Sequence, residues 1–154
     1  MYVGMSTLHY EHNNLKTAMQ HLLTSQALGE HAGLSSNPHR WCAAMARIRE
    51  AQGDLDGALD LLDQAERLYA ANFSPNVRPV ATRKVRVWVA QGRLGEAQGW
   101  VREQGLSVEN ELSYLHEFDH ITLARVLLAC YLSDHSDGSI SEVMGLLERL
   151  LKAA

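Results

Sequence analysis

A leucine followed three positions later by alanine recurs along this chain at intervals of 40 and 39 residues: Leu15 with Ala18, Leu55 with Ala58, Leu94 with Ala97. Four positions beyond each alanine stands another apolar residue, Leu22, Leu62 or Val101. Spacings of three and four place all of them on one face of an α-helix. The small residue in the middle lets a second helix approach closely. The stretch Gln52 to Leu68 carries the pattern most fully, with Ala58 and Ala65 seven apart and Leu55, Leu62 and Leu68 beside them. A looser fourth copy is Ile140, Val143 and Leu147. Self-similarity at this period means one supersecondary unit repeated, each unit burying its apolar face only against a neighbour.

Each of these helices is preceded by an apolar first helix, expected over roughly Tyr2–His12, Pro38–Gln52, Pro79–Gln91 and Tyr114–Ser133. Pro38 and Pro79 fall where a first helical turn tolerates proline, and Gly53 and Gly92 where a hairpin must reverse through positive φ. Asn14, Asp54 and Ser139 are suited to cap the second helices. Arg93 holds that place in the third copy and cannot cap, so that turn should fray. Period-two alternation is essentially missing. The expected fold is all-α: a right-handed superhelical solenoid of about four tetratricopeptide-like helix–turn–helix repeats. They lie at roughly 1–30, 38–71, 77–105 and 114–152 of a single domain over 1–154.

A chain of 154 residues, 46% apolar and 21% charged, is long enough for one sizeable core. Its longest apolar run, Val126–Leu132, is far short of a membrane span, and Met1-Tyr2-Val3-Gly4 shows no secretory signal. Cys42 and Cys130 lie in helices of different repeats and read as buried thiols in a reducing compartment, so the expected location is cytoplasmic. Net charge of −4 gives no general attraction to nucleic acid. Arg78, Arg83, Lys84, Arg86, Arg93 and Arg102, against the single acid Glu96, form a basic exception. A solvated face balancing the acidic run Asp54–Glu66 is its plainest reading.

Both ends begin or stop on apolar helix: Val3, Met5 and Leu8 at one, Leu146, Leu147, Leu150 and Leu151 at the other. Solenoid ends usually carry a polar cap, so the chain reads as a fragment of a larger protein. Gly29–Asn37 and Asn72–Asn76 read as short linkers and Gly105–Ser113 as a longer one. Asp134–Ser139 reads as the most flexible segment and the first to be cut by protease.

His116-Glu117-Phe118-Asp119-His120 is a literal H-E-x-x-H, the pattern that sets two histidines on a helix to hold zinc beside a glutamate base. Asp119 within the motif, no third ligand at a recognisable spacing (His135 and Glu142 lie past the loop), and the packing demand on Phe118, Ile121 and Leu123 argue against a metal. No metal site or cofactor is expected. His9 and His12 suit an exposed helix end, and Cys42 beside Trp41 reads as an inert mid-helix thiol. With no phosphate-binding loop or dinucleotide fingerprint, the chain is not expected to be an enzyme.

Arg47, Arg86 and Arg125 follow one another at intervals of 39 residues, behind Ala46, Val85 and Ala124. They hold equivalent places on successive first helices, where the first repeat has Thr7. Stacked first helices line a concave wall, so three guanidinium groups would project along one groove and offer planar forks to carboxylate, phosphate or hydroxyl-rich ligands. The competing reading pairs each arginine with an acid of the adjacent repeat. Tyr10, Trp41, Trp88 and Tyr131 are candidates to stack on a ligand, Trp88 being better explained as core. The candidate ligand or partner groove comprises Thr7, Tyr10, Arg40, Arg47, Arg83, Arg86 and Arg125.

The runs Ala46-Arg47-Ile48-Arg49-Glu50-Ala51-Gln52-Gly53-Asp54-Leu55 and Trp88-Val89-Ala90-Gln91-Gly92-Arg93-Leu94 resemble the helical-repeat region of large ATP-dependent LuxR-type regulators, the maltose-regulator (MalT) class. Trp100 to Ser107 and Glu111 to Ala129 carry the most specific part of the likeness, which covers nearly the whole chain. The resemblance implies a segment that senses a small-molecule effector or regulatory protein, coupled to self-association of the full-length regulator. It also implies that H-E-F-D-H is ordinary repeat sequence. The flanking P-loop ATPase and DNA-binding helix-turn-helix of such regulators are not in these residues, so neither nucleotide nor nucleic acid is expected to bind here directly, nor a membrane. After Ala129 the short turn of the family is replaced by Cys130–Ser139. The alternative is a free-standing repeat adaptor for a peptide or protein.

Overall fold

The computed structural model describes residues 1–32, 38–69, 79–134 and 137–153. Among these the secondary structure is helical, with no strand. The elements are α1 (Tyr2–Glu11), α2 (Leu15–Ala32), α3 (Pro38–Ala51), α4 (Leu55–Leu68), α5 (Val80–Ala90), α6 (Leu94–Glu103), a 3₁₀ turn (Tyr114–His116), α7 (Glu117–Asp134) and α8 (Asp137–Ala153). None of the described helices is long and apolar enough to cross a membrane. They gather into two compact units, Met1–Ala71 and Asn72–Ala154.

In the first unit α1 packs on α2 and α3, and α3 on α4. Ala18, Leu22, Met45 and Ile48 are buried at the centre of the first three, with Val3, Tyr10, Trp41 and Leu61 packed around them. Full burial of Leu22 and Ile48 contributes roughly 1.5–3 kcal/mol each. Ala58, Leu62 and Ala65 form the buried stripe of α4, as their spacing predicts. Leu68, expected beside them, is 43% exposed in the last turn of that helix. The indole N–H of Trp41 donates to the Leu22 carbonyl at 2.9 Å, so this large ring enters the core without leaving an orphan donor.

In the second unit α5 packs on α6 and α7, and α7 on α8. Val85, Ala97, Trp100, Val126 and Cys130 make one buried cluster, against which Trp88 is half-buried. Leu123, Ala124 and Leu146 make a second.

One turn is used repeatedly. After α1, α3, α5 and α6 the chain passes through positive φ at Asn13 (57°), Gly53 (82°), Gly92 (74°) and Gly105 (61°). The next amide donates back to the third-last helical carbonyl: Asn14 to His9 at 2.8 Å, Asp54 to Arg49 at 3.0 Å, Arg93 to Trp88 at 2.8 Å, Leu106 to Val101 at 3.1 Å. This is the Schellman closure of a helix C-terminus. In the first three cases that same residue opens the next helix. Asn14 accepts from the Thr17 amide at 3.2 Å and Asp54 from the Gly57 amide at 3.0 Å. Arg93 makes no such cap and instead holds Glu96 at 2.8 Å.

Four sequence expectations need correction. Asp134–Ser139 is not a six-residue loop: α7 runs through Asp134 and α8 starts at Asp137, so Ser139 lies inside a helix and does not cap it. The extra residues of the fourth copy are taken up by α7, which has 18 residues where α5 has 11. Gly29 belongs to α2, which continues to Ala32, because one glycine costs a helix only about 1 kcal/mol. Pro79 stands just ahead of α5 as its N-cap residue, not within its first turn. The linker expected at Asn72–Asn76, together with Arg78 and His135, lies outside the described residues.

Candidate functional site

In the first unit, α3 directs Arg47 toward α1. Its guanidinium carbon lies 4.1 Å from the centroid of the Tyr10 ring, and Nη2 meets Glu11 Oε1 at 2.6 Å. The arginine side chain is 16% exposed and the glutamate 56%. The arginine side chain is thus largely sheltered, while the carboxylate stays wet. For Arg47 the structure contains the pairing of an arginine with an acid of the preceding hairpin. Thr7, one turn before, donates its hydroxyl to the Val3 carbonyl of its own helix at 3.1 Å. Arg40 is exposed at the start of α3. Burial foremost, and then the charge of Arg40, push the neighbouring His39 imidazole below its ordinary pKa.

In the second unit, α5 sends two cations to one ring. Arg83 and Arg86 lie 5.6 and 5.0 Å from the centroid of Phe118 on α7. Between them in the chain, Lys84 lies 5.8 Å from the Trp88 ring, which Arg93 approaches to 5.7 Å from the other side of the sequence. The basic stretch is therefore supported by aromatic faces, each contact contributing about 0.5–1 kcal/mol where exposed. Arg125 is exposed on α7. Tyr10 and Arg47 are brought together, as are Arg83 and Arg86. Their joining elements, Glu11 and Phe118, are absent from the sequence-derived set. Glu11 carries no signal, being 36 residues from its partner; Phe118 reads in sequence as packing alone.

The H-E-x-x-H residues do not share one helix. His116 ends the 3₁₀ turn and is exposed, whereas His120 is inside α7 and only 2% exposed. His120 Nδ1 lies 2.9 Å from the His116 carbonyl oxygen, and His116 Nδ1 lies 3.3 Å from Asp119 Oδ2. The other oxygen of Asp119 accepts from the Thr82 hydroxyl at 2.6 Å, tying α7 to α5. Among the described residues no three histidine, cysteine or acidic side chains converge as a metal cage. Cys42 is buried beside Gln64 Oε1 at 3.1 Å, and burial raises its thiol pKa, away from nucleophilic character.

Helices joined in pairs by one recurring C-terminal closure, with side chains bridging successive first helices, define a helical-repeat protein of the tetratricopeptide kind, a class generally without catalysis. A family model described as MalT-like TPR region matches residues 1–154, and the chain belongs to that family. No curated protein and no solved structure matches it.

Proposed function

We propose that this chain is the effector-binding and protein-interaction segment of a LuxR-family, ATP-dependent transcription regulator of the MalT type. It acts in the cytoplasm and has no catalysis or cofactor of its own. Its four tetratricopeptide-like hairpins wind as a right-handed solenoid whose first helices carry Thr7, Tyr10, Arg40, Arg47, Arg83, Arg86 and Arg125 toward a small-molecule effector or a regulatory protein. The observation that carries this reading is the family match over the whole chain. The contacts of Arg47 with Tyr10, and of Arg83 and Arg86 with Phe118, support it, because an aromatic face holds a guanidinium in place.

The mechanism is a shift between pre-existing curvatures. An effector that binds one curvature better changes its population by no more than its difference in affinity, and that difference passes to self-association of the whole regulator. DNA is reached through a helix-turn-helix outside these residues. Thermal-shift screening of small metabolites, repeated on Arg86→Ala, tests the reading. Hits whose shift is lost in the variant support it; an equal response of both proteins to every hit removes the groove.

A further inference from the structure

The second unit contains a cleft of about 320 Å³ lined by Leu112, Ser113, Tyr114, Glu117, Leu150 and Ala153, near the lower end of volumes that hold small ligands. Two helical pairs line it. Tyr114 and Glu117 are three residues apart where the 3₁₀ turn runs into α7, and Leu150 and Ala153 are three apart in the last turn of α8. Residues at that spacing share a side of a helix. Leu112 adds to the lining, and its loop is strapped down. Arg149 of α8 donates to the Val108 carbonyl and, at 2.6 Å, to the Asn110 carbonyl. Leu106, Val108 and Leu112 pack on the buried cluster below.

The wall chemistry is selective. Leu112, Leu150 and Ala153 offer apolar contact, Tyr114 offers an aromatic ring that is 75% exposed, and Glu117 is the charged residue among the six. From Glu109 to Asp119 the chain carries four acids and no lysine or arginine. On the α8 side stand Arg149, bonded to the two loop carbonyls, and the exposed Lys152. A carboxylate and an aromatic ring in one cleft with aliphatic side chains is the chemistry that recognises an organic ammonium: the ring quadrupole and the carboxylate attract the cation, and the aliphatic side chains take its alkyl part.

We infer that this cleft binds a small organic ammonium ion, a site apart from the arginine set. The sensor then has an input whose charge is opposite to what its guanidinium groups select. The test is an amide NMR titration of the full chain with choline chloride, with 3,3-dimethylbutan-1-ol as the uncharged isostere and sodium chloride at matched ionic strength. Saturable shifts clustered at residues 112–117 and 150–153 are expected, with binding weakened roughly tenfold for the neutral isostere and in Glu117→Gln and Tyr114→Leu. Both positions are exposed, and unchanged thermal midpoints would show that the variants fold. Shifts that grow linearly and are matched by sodium chloride overturn the inference. Equal affinity for the uncharged isostere, or unaltered binding in both variants, does so as well.

Discussion

Arg47 and Glu11, 36 positions apart in sequence, meet at 2.6 Å with the Tyr10 ring 4.1 Å beneath the guanidinium. The acid lies at the C-terminal end of α1 and the arginine on α3, so the contact joins the first helices of consecutive hairpins. With one partner 56% exposed, the ion pair contributes roughly 0.2–1 kcal/mol, and the ring a comparable amount. A double-mutant cycle of Arg47→Gln and Glu11→Gln should give a coupling energy of about 0.5 kcal/mol that shrinks in 1 M salt, where the Debye length is about 3 Å. Tyr10→Leu should cost Arg47 its support with little dependence on salt. A coupling of zero at low salt would reduce the pair to a surface coincidence.

The Schellman turns make a sharp contrast among glycines. Gly53 and Gly92 have φ of +82° and +74°, and a β-carbon added at either would meet open space. Alanine there therefore incurs only the backbone penalty of about 1–2 kcal/mol. Gly99, inside α6 with nothing within 4 Å of such a β-carbon, should instead stabilise by roughly 0.5–1 kcal/mol when replaced by alanine. Urea denaturation of Gly53→Ala, Gly92→Ala and Gly99→Ala should give opposite signs for the turn and helix positions.

Gly57 couples a helix interior to a cap. A β-carbon there would lie 2.4 Å from Asp54 Oδ2, on the carboxylate that accepts from the Gly57 amide. Alanine gains about 1 kcal/mol of helix propensity but displaces a cap of similar size. Gly57→Ala should be near neutral in the native background and stabilising once Asp54→Ala has already removed the cap. Additive free energies in that cycle would show that the cap adjusts freely.

The pH response has a defined sign. The His39 pKa is held below 6.5 by burial and then by Arg40, so the unfolded chain takes up the proton before the folded one. Stability attached to this group is present above pH 6.5 and falls as pH drops toward the folded pKa. The ring stands edge-on to Tyr69 at 5.6 Å. His39→Gln should flatten the decline of the thermal midpoint between about pH 7 and 5; an unchanged slope would assign it to other groups.

Core truncation has a predictable ordering. Leu22 and Leu62 are 0% and 2% exposed, and alanine at either should cost about 2–5 kcal/mol. At Leu68, 43% exposed, the loss should stay below about 1 kcal/mol. Chemical denaturation of the three variants reads this directly.

Which side chains face inward is written in the sequence, because helical periodicity is a local property: Ala18, Leu22, Ala58, Leu62 and Ala97 are buried where their spacing places them. Glycine at Gly53 and Gly92 announces the turns, since left-handed backbone narrows the choice of residue. Asn13, which fills the same place in the first hairpin, gives a weaker signal because asparagine also occurs widely outside that conformation. The boundary near residue 134 is misleading for a related reason. Asp, Ser and Gly favour turns in isolation, and packing of α7 on α8 overrides that preference in the fourth copy. Tertiary structure alone decided what Arg47, Arg83 and Arg86 touch. A guanidinium on a flexible stem finds its acid or ring through space, and no local rule ties Arg47 to Glu11 or Arg86 to Phe118. The cleft beneath Tyr114 is of the same kind, since its walls come from stretches more than thirty residues apart that only the packing of α7 on α8 brings together.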